Sequence, residues 1–76
     1  MKELLTAIIE SLVSDKNAVS INETSSDRNV VFEVKVTESD MGKIIGREGR
    51  IAKAIRTVMK SMAAEEGKRV NIEFIG

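Results

Sequence analysis

Two glycines three positions apart, Gly46 and Gly49, stand between a short apolar segment and a longer amphipathic one, and they restrict what the surrounding chain can become. The run Gly42-Lys43-Ile44-Ile45-Gly46-Arg47-Glu48-Gly49-Arg50-Ile51-Ala52-Lys53-Ala54-Ile55-Arg56 reads as a helix, a turn of largely bare backbone, and a second helix. Glycine reaches dihedrals closed to other residues and lets another chain approach without meeting a side chain. The second helix starts with unpaired N–H groups and the positive end of its dipole. Such a turn suits a phosphate.

Basic residues gather at the same place. Between Lys43 and Lys60 there are six basic residues against one acid, Glu48, so this segment carries +5; the chain has 12 basic and 12 acidic residues, so the rest carries −5. A polyanion is steered to one face and repelled elsewhere.

Periodicity along the chain gives the elements around this turn. Leu4, Leu5, Ile8, Ile9, Leu12 and Val13 form one apolar stripe and predict a helix over residues 2–13, ended by the polar cluster Ser14-Asp15-Lys16-Asn17. Val19 and Ile21, then Val30, Phe32, Val34 and Val36, alternate with more polar neighbours and predict two strands, over 18–24 and 30–37, joined by a hairpin loop at 25–29. Thr37-Glu38-Ser39-Asp40 resembles a capping box and starts a short helix ending at Ile45, with Met41, Ile44 and Ile45 pointing inward. Gly42 inside it costs on the order of 1 kcal/mol against Ala and suggests close packing or a nearby ligand.

After the turn, Ile51, Ala54, Ile55, Val58, Met59 and Met62 predict the buried face of a helix over 50–64, with Lys53, Arg56 and Lys60 nearly opposite. Gly67 fits a helix stop, and Val70, Ile72 and Phe74 restore period two in a final strand over 68–75. The order α-β-β-α-α-β predicts an α+β fold with helices covering one face of a three-stranded mixed sheet, the last strand running parallel to a hairpin strand. A chain of 76 residues makes one domain, spanning 1–76.

Ile44-Ile45-Gly46-Arg47-Glu48-Gly49-Arg50-Ile51 resembles the Ile-Ile-Gly-x-x-Gly-x-x-Ile pattern of KH (K-homology) RNA-binding domains, with Ala52 in the last apolar place and Ile51 one position early. Over nearly its whole length and element order the chain is similar to the small bacterial single-domain KH proteins of the KhpA type. The resemblance implies the type II KH fold and single-stranded RNA as ligand, held over about four nucleotides by the GxxG turn.

It also implies roles by position. Gly46 and Gly49 permit close approach of the sugar-phosphate chain, Lys43 and Arg47 neutralise phosphates, and Arg50 and Lys53 extend the positive edge. Ile44 and Ile45 support the turn and line the groove floor. Glu48, the second variable position of the turn, lowers affinity unless it points away or pairs with Arg50. With about three or four phosphates contacted, the log-log salt slope for a single strand is about −2 to −3. Proteins of this type self-associate and pair with a larger KhpB (Jag/EloR)-type KH protein, and the pair acts as an RNA chaperone or post-transcriptional regulator linked to cell elongation and the cell wall.

Other chemistry finds little support. The chain has no Cys and no His, which removes disulfides, thiolate metal sites and His-based catalysis in their usual forms. No GxxxxGK[ST] or G-x-G-x-x-G spacing occurs, and no cofactor is expected. The two aromatic residues, Phe32 and Phe74, lie in phase with buried positions, so no exposed ring is predicted for base stacking. Neither a signal peptide nor a membrane span is read in the sequence, which predicts a cytoplasmic protein. The rival reading is a dimerisation module with little RNA affinity of its own, to which the out-of-phase apolar residues Val31 and Ile75 point.

Overall fold

The first helix, α1 (Lys2–Leu12), buries Leu5 and Ile9 completely. A computed structural model describes residues 1–75 of the chain, and every side chain among them except that of Arg47. Ile8 and Val13 pack partly against the core, whereas Leu4 and Leu12, on the predicted stripe, are exposed. The buried ridge is therefore narrower than the apolar stripe. A single 3-10 turn at Lys16–Ala18, opened by Asp15 accepting the Asn17 N–H at 3.1 Å, leads into the sheet.

Strands β1 (Ser20–Ser26) and β2 (Asn29–Lys35) form an antiparallel hairpin whose last pair is Ser26 with Asn29. The turn is thus two residues, Asp27-Arg28, where a five-residue loop was predicted. Asp27 makes this possible at φ 50, a left-handed conformation that Asp tolerates better than most residues. Strand β3 (Arg69–Ile75) pairs parallel to β2 in the order β1-β2-β3, with Val30 opposite Val70, Phe32 opposite Ile72 and Val34 opposite Phe74. These rows face the helices. On β1 only Ile21 is buried, because Glu23 and Ser25, in the same rows, extend past the helical cover.

Between β2 and β3 runs α2 (Glu38–Glu65), a helical path broken by left-handed dihedrals at Glu48 (φ 65) and Gly49 (φ 69). With its two arms counted separately the order is helix-strand-strand-helix-helix-strand, an α+β fold. The second arm buries Ala52, Ile55, Met59 and Ala63, a stripe one step round from the predicted face. Ile51, at 38% exposure, and Val58, at 45%, stand outside it. Alanines at 52 and 63 bring the arm close to the sheet, where bulkier residues would hold it off.

Both ends of α2 are fixed by specific bonds. Thr37 accepts the Asp40 N–H at 3.2 Å, as an N-cap should. Asp40, however, departs from the predicted capping box: its buried carboxylate takes the Ser14 N–H at 3.0 Å, the Asp15 N–H at 3.2 Å and the Thr37 hydroxyl at 3.1 Å. The acid at this helix start thereby holds the end of α1. At the other end Gly67 is left-handed (φ 70), and the Gly67 and Lys68 amides reach the Ala64 and Ala63 carbonyls at 3.0 and 2.8 Å. This is the predicted stop, in Schellman form.

Candidate nucleic-acid interface

Two of the three glycines around the bend of α2 are ones the fold does not ask for. Gly42 and Gly46 lie in the first arm without left-handed dihedrals, and a Cβ added at either would meet nothing within 4 Å. Each weakens a helix by about 1 kcal/mol against Ala. Internal packing, one of the two explanations for Gly42, is thus removed. Gly42, Gly46, Lys43, Arg50 and Ile51 line an open cavity of about 510 Å³ on this surface. Gly49 differs, since its φ of 69 favours a glycine whatever approaches.

Glu48 reaches the same left-handed region with a side chain, at a cost of roughly 1–2 kcal/mol. It is exposed, and among the described residues it forms no ion pair with Arg50. Arg50 and Lys53 are exposed as well, and neither is in an ion pair among the described residues. The Arg47 side chain, predicted to meet phosphate, lies outside the described residues.

Lys43 is less free than its exposure suggests. Its ammonium donates to Ser14 Oγ at 2.7 Å and stands 3.4 Å from the Asp40 carboxylate, so part of its charge is already matched. The Ser14 amide above all, with the Asp15 amide, the Thr37 hydroxyl and Lys43 behind it, holds the Asp40 carboxyl at about 2, against the opposing effect of burial.

The paired isoleucines separate. Ile44 is 1% exposed and belongs to the core cluster. Ile45, predicted to point inward, is 47% exposed and offers the apolar surface. A helix turns about 100° per residue, so adjacent isoleucines cannot both face one core.

Arg56 changes its place more than any other residue. Predicted on a solvated face, it donates through Nε at 3.3 Å and Nη2 at 3.2 Å to the Ile72 carbonyl, and its guanidinium lies 5.2 Å from the centre of the Phe74 ring. Phe74 is consequently half-buried under a cation and not in the closed core. The Arg69 amide points to β2, donating to the Arg28 carbonyl at 2.7 Å, so by strand alternation the Ile72 carbonyl points outward. Arg56 therefore covers part of the outer edge of β3. The one-step shift of the buried stripe brings Lys53, Arg56 and Lys60 to the flank of α2 that faces this edge. Gly42, outside the expected set of site residues, shares the cavity of the turn with Gly46, and Arg56, expected to be solvated, lies against β3.

Among the described residues, no helix is long and apolar enough to cross a membrane. Comparison with known proteins gives consistent matches over the whole chain. The model of the family described as KhpA/KhpB, KH domain, matches residues 2–74. The RNA-binding protein KhpA of Clostridium acetobutylicum is 49% identical over 75 residues, covering 99% of this chain and 100% of its own length. Its counterpart from Clostridium perfringens gives the same values, and the RNA-binding protein KhpA of Caldanaerobacter subterraneus is 47% identical with the same coverage.

Proposed function

Since the chain belongs to the KhpA/KhpB KH-domain family, we propose that it binds single-stranded RNA through the turn at Gly46–Gly49, without a cofactor. The observation that carries this reading is the pair Gly42 and Gly46, helical, unstrained and open to solvent, where alanine would fit and favour the helix. A bare surface kept at that cost suits a sugar-phosphate chain pressed against it.

Gly46 and Gly49 admit the backbone, Arg50 and Lys53 supply positive charge not taken up by any ion pair among the described residues, Arg47 adds its own charge by its place in the turn, and Lys43 adds a charge weakened by Asp40. Ile45 offers the apolar patch for a base, with Ile44 holding it from below. Glu48 has its carboxylate in the same turn, which keeps the affinity of one domain modest, in the micromolar range or weaker. In the cytoplasm such a domain acts as a small RNA chaperone or post-transcriptional regulator, together with a larger KhpB (Jag/EloR)-type protein, in a role linked to cell elongation and cell-wall homeostasis.

Replacing Arg47 and Glu48 by aspartates tests this. The variant is expected to keep its circular dichroism and self-association while losing single-stranded RNA binding in titrations at low and moderate salt. Parental affinity in that variant would refute the assignment of the turn. Duplex DNA bound in preference to single-stranded RNA would do the same.

A second reading has its own observation. Ile51 and Val58 lie exposed on the flank of α2 away from β3, and Ile75 is exposed on the sheet. Exposed apolar side chains at Val58 on the helix and Ile75 on the sheet favour self-association, and a homodimer that leaves the turn open would raise avidity. Val58→Asp should shift the protein toward monomer in light scattering; an unchanged mass would place self-association elsewhere.

A further inference from the structure

The basic flank of α2 runs on past the bend. Lys53, Arg56 and Lys60 share it at i, i+3 and i+7, and Arg56, fixed on Ile72 and Phe74, marks its junction with the outer edge of β3. From there three adjoining cavities of about 160, 470 and 450 Å³ follow the strand back to its start. The first two share Lys60, Val70 and Asn71, and the last two share Asn29, Ala64, Lys68 and Arg69, so they form one groove.

Five cations line this groove, Arg56, Lys60, Lys68, Arg69 and Arg28, and no carboxylate does, although the chain has 12 acids. Lys68 and Arg69 follow Glu65 and Glu66 in sequence, yet among the described residues none of the five is in an ion pair. The C-terminus of α2 also points here with about −0.5 charge, which five positive charges outweigh. No exposed ring is available to stack a base, since Phe32 is buried and Phe74 lies under Arg56. A wall of unpaired cations without rings recognises phosphodiester charge, whatever the base.

We propose that Arg28, Lys68 and Arg69 form a second phosphate clamp, gripping the same single strand of RNA beyond the nucleotides held at the turn. The proposal rests on the reading of the turn as an RNA site. At about 1.5 Å per residue, Ala64 lies about 22 Å from Gly49 along the second arm. At about 3.4 Å per stacked nucleotide, that distance takes about six nucleotides, fewer if the strand is extended. The footprint thus exceeds the four or so nucleotides of the turn.

Titration of the full chain with oligouridylates of four and ten nucleotides tests this against the triple variant Arg28→Gln, Lys68→Gln, Arg69→Gln. The three side chains are exposed, so the variant should fold, as circular dichroism will report. The parent is expected to bind the decamer about tenfold tighter than the tetramer. The variant should lose that gain, keep its tetramer affinity within about twofold, and show a decamer salt slope shallower by about 2, from three charges at about 0.7 each.

A control variant, Lys2→Gln, Lys16→Gln, Lys35→Gln, removes the same charge elsewhere and should change decamer affinity by less than about twofold. The clamp is overturned if the first variant binds the decamer like the parent, or if the control loses as much. If the Arg47→Asp, Glu48→Asp variant keeps parental tetramer affinity, the turn reading falls and takes the clamp with it. If that variant fails to bind while the triple variant matches the parent, the clamp alone falls.

Discussion

At its start α2 carries a buried acid and at its stop a left-handed glycine, and each has partners inside the protein. Asp40 holds two amides from the end of α1, and Gly67 turns the chain so that two amides reach the last carbonyls. In the middle of α2 the unusual residues have no such partners among the described residues. Gly42 and Gly46 face open space, and Glu48 is left-handed with a side chain exposed to solvent. A costly residue with an internal partner serves the fold; one without such a partner is what the proposed RNA site accounts for. The contrast makes stability and binding separable by mutation.

The largest loss of stability is expected from Asp40→Ala, which leaves the Ser14 and Asp15 amides without their acceptor and frees α1 from α2. Because the carboxyl is held at about 2, below its ordinary 3.8, the charged form stabilises the fold above about pH 4, and that contribution is lost as pH falls toward 2. Thermal unfolding of Asp40→Asn should accordingly change less between pH 5 and pH 2 than that of the parent. A parallel decline in both would separate the acid sensitivity from Asp40.

Gly67→Ala comes next, at about 1–2 kcal/mol for a left-handed residue with a Cβ. At about 4–8 °C per kcal/mol in a domain of this size, the fall is easily measured, with the affinity for a tetranucleotide held at the turn unchanged.

Gly46→Ala should act in the opposite sense. Stability rises by up to about 1 kcal/mol in denaturant titrations, while RNA affinity falls severalfold. A variant that is more stable and binds as well as the parent would erase the contrast between the ends of α2 and its middle.

Glu48→Gly has the smallest effect. Relief of the left-handed side chain, offset by the greater freedom of unfolded glycine, leaves a gain of roughly 0.5 kcal/mol. Loss of the carboxylate should raise RNA affinity about two- to threefold. No gain in affinity would show that the carboxylate points away from the strand.

Element order, the parallel third strand and the Gly67 stop were all legible in the sequence, because period-two alternation and a helix-ending glycine are strong local signals. The buried face of the second arm was not. Ile51 and Val58 outweigh Ala52 and Ala63 in hydrophobicity, yet the close helix-sheet contact favours the smaller pair. That single step also hid Arg56, whose contact with the edge of β3 follows only when the true face is known. Asp40 was legible as a helix-start residue but not as a link to α1, since its partners lie 25 and 26 positions away. At the turn itself, spacing located the glycines, and the absence of any neighbour around Gly42 and Gly46 could come only from the fold.

The parallel pairing of β2 with β3 has a consequence during synthesis. Asn29 waits for Arg69, 40 positions later. At about 5–20 residues per second, the ribosome leaves the β2 edge uncovered for about 2–8 s. In that interval Val30-Val31-Phe32 is a strand edge open to other nascent chains, and Glu33 and Lys35 beside it are the charges that keep such encounters brief.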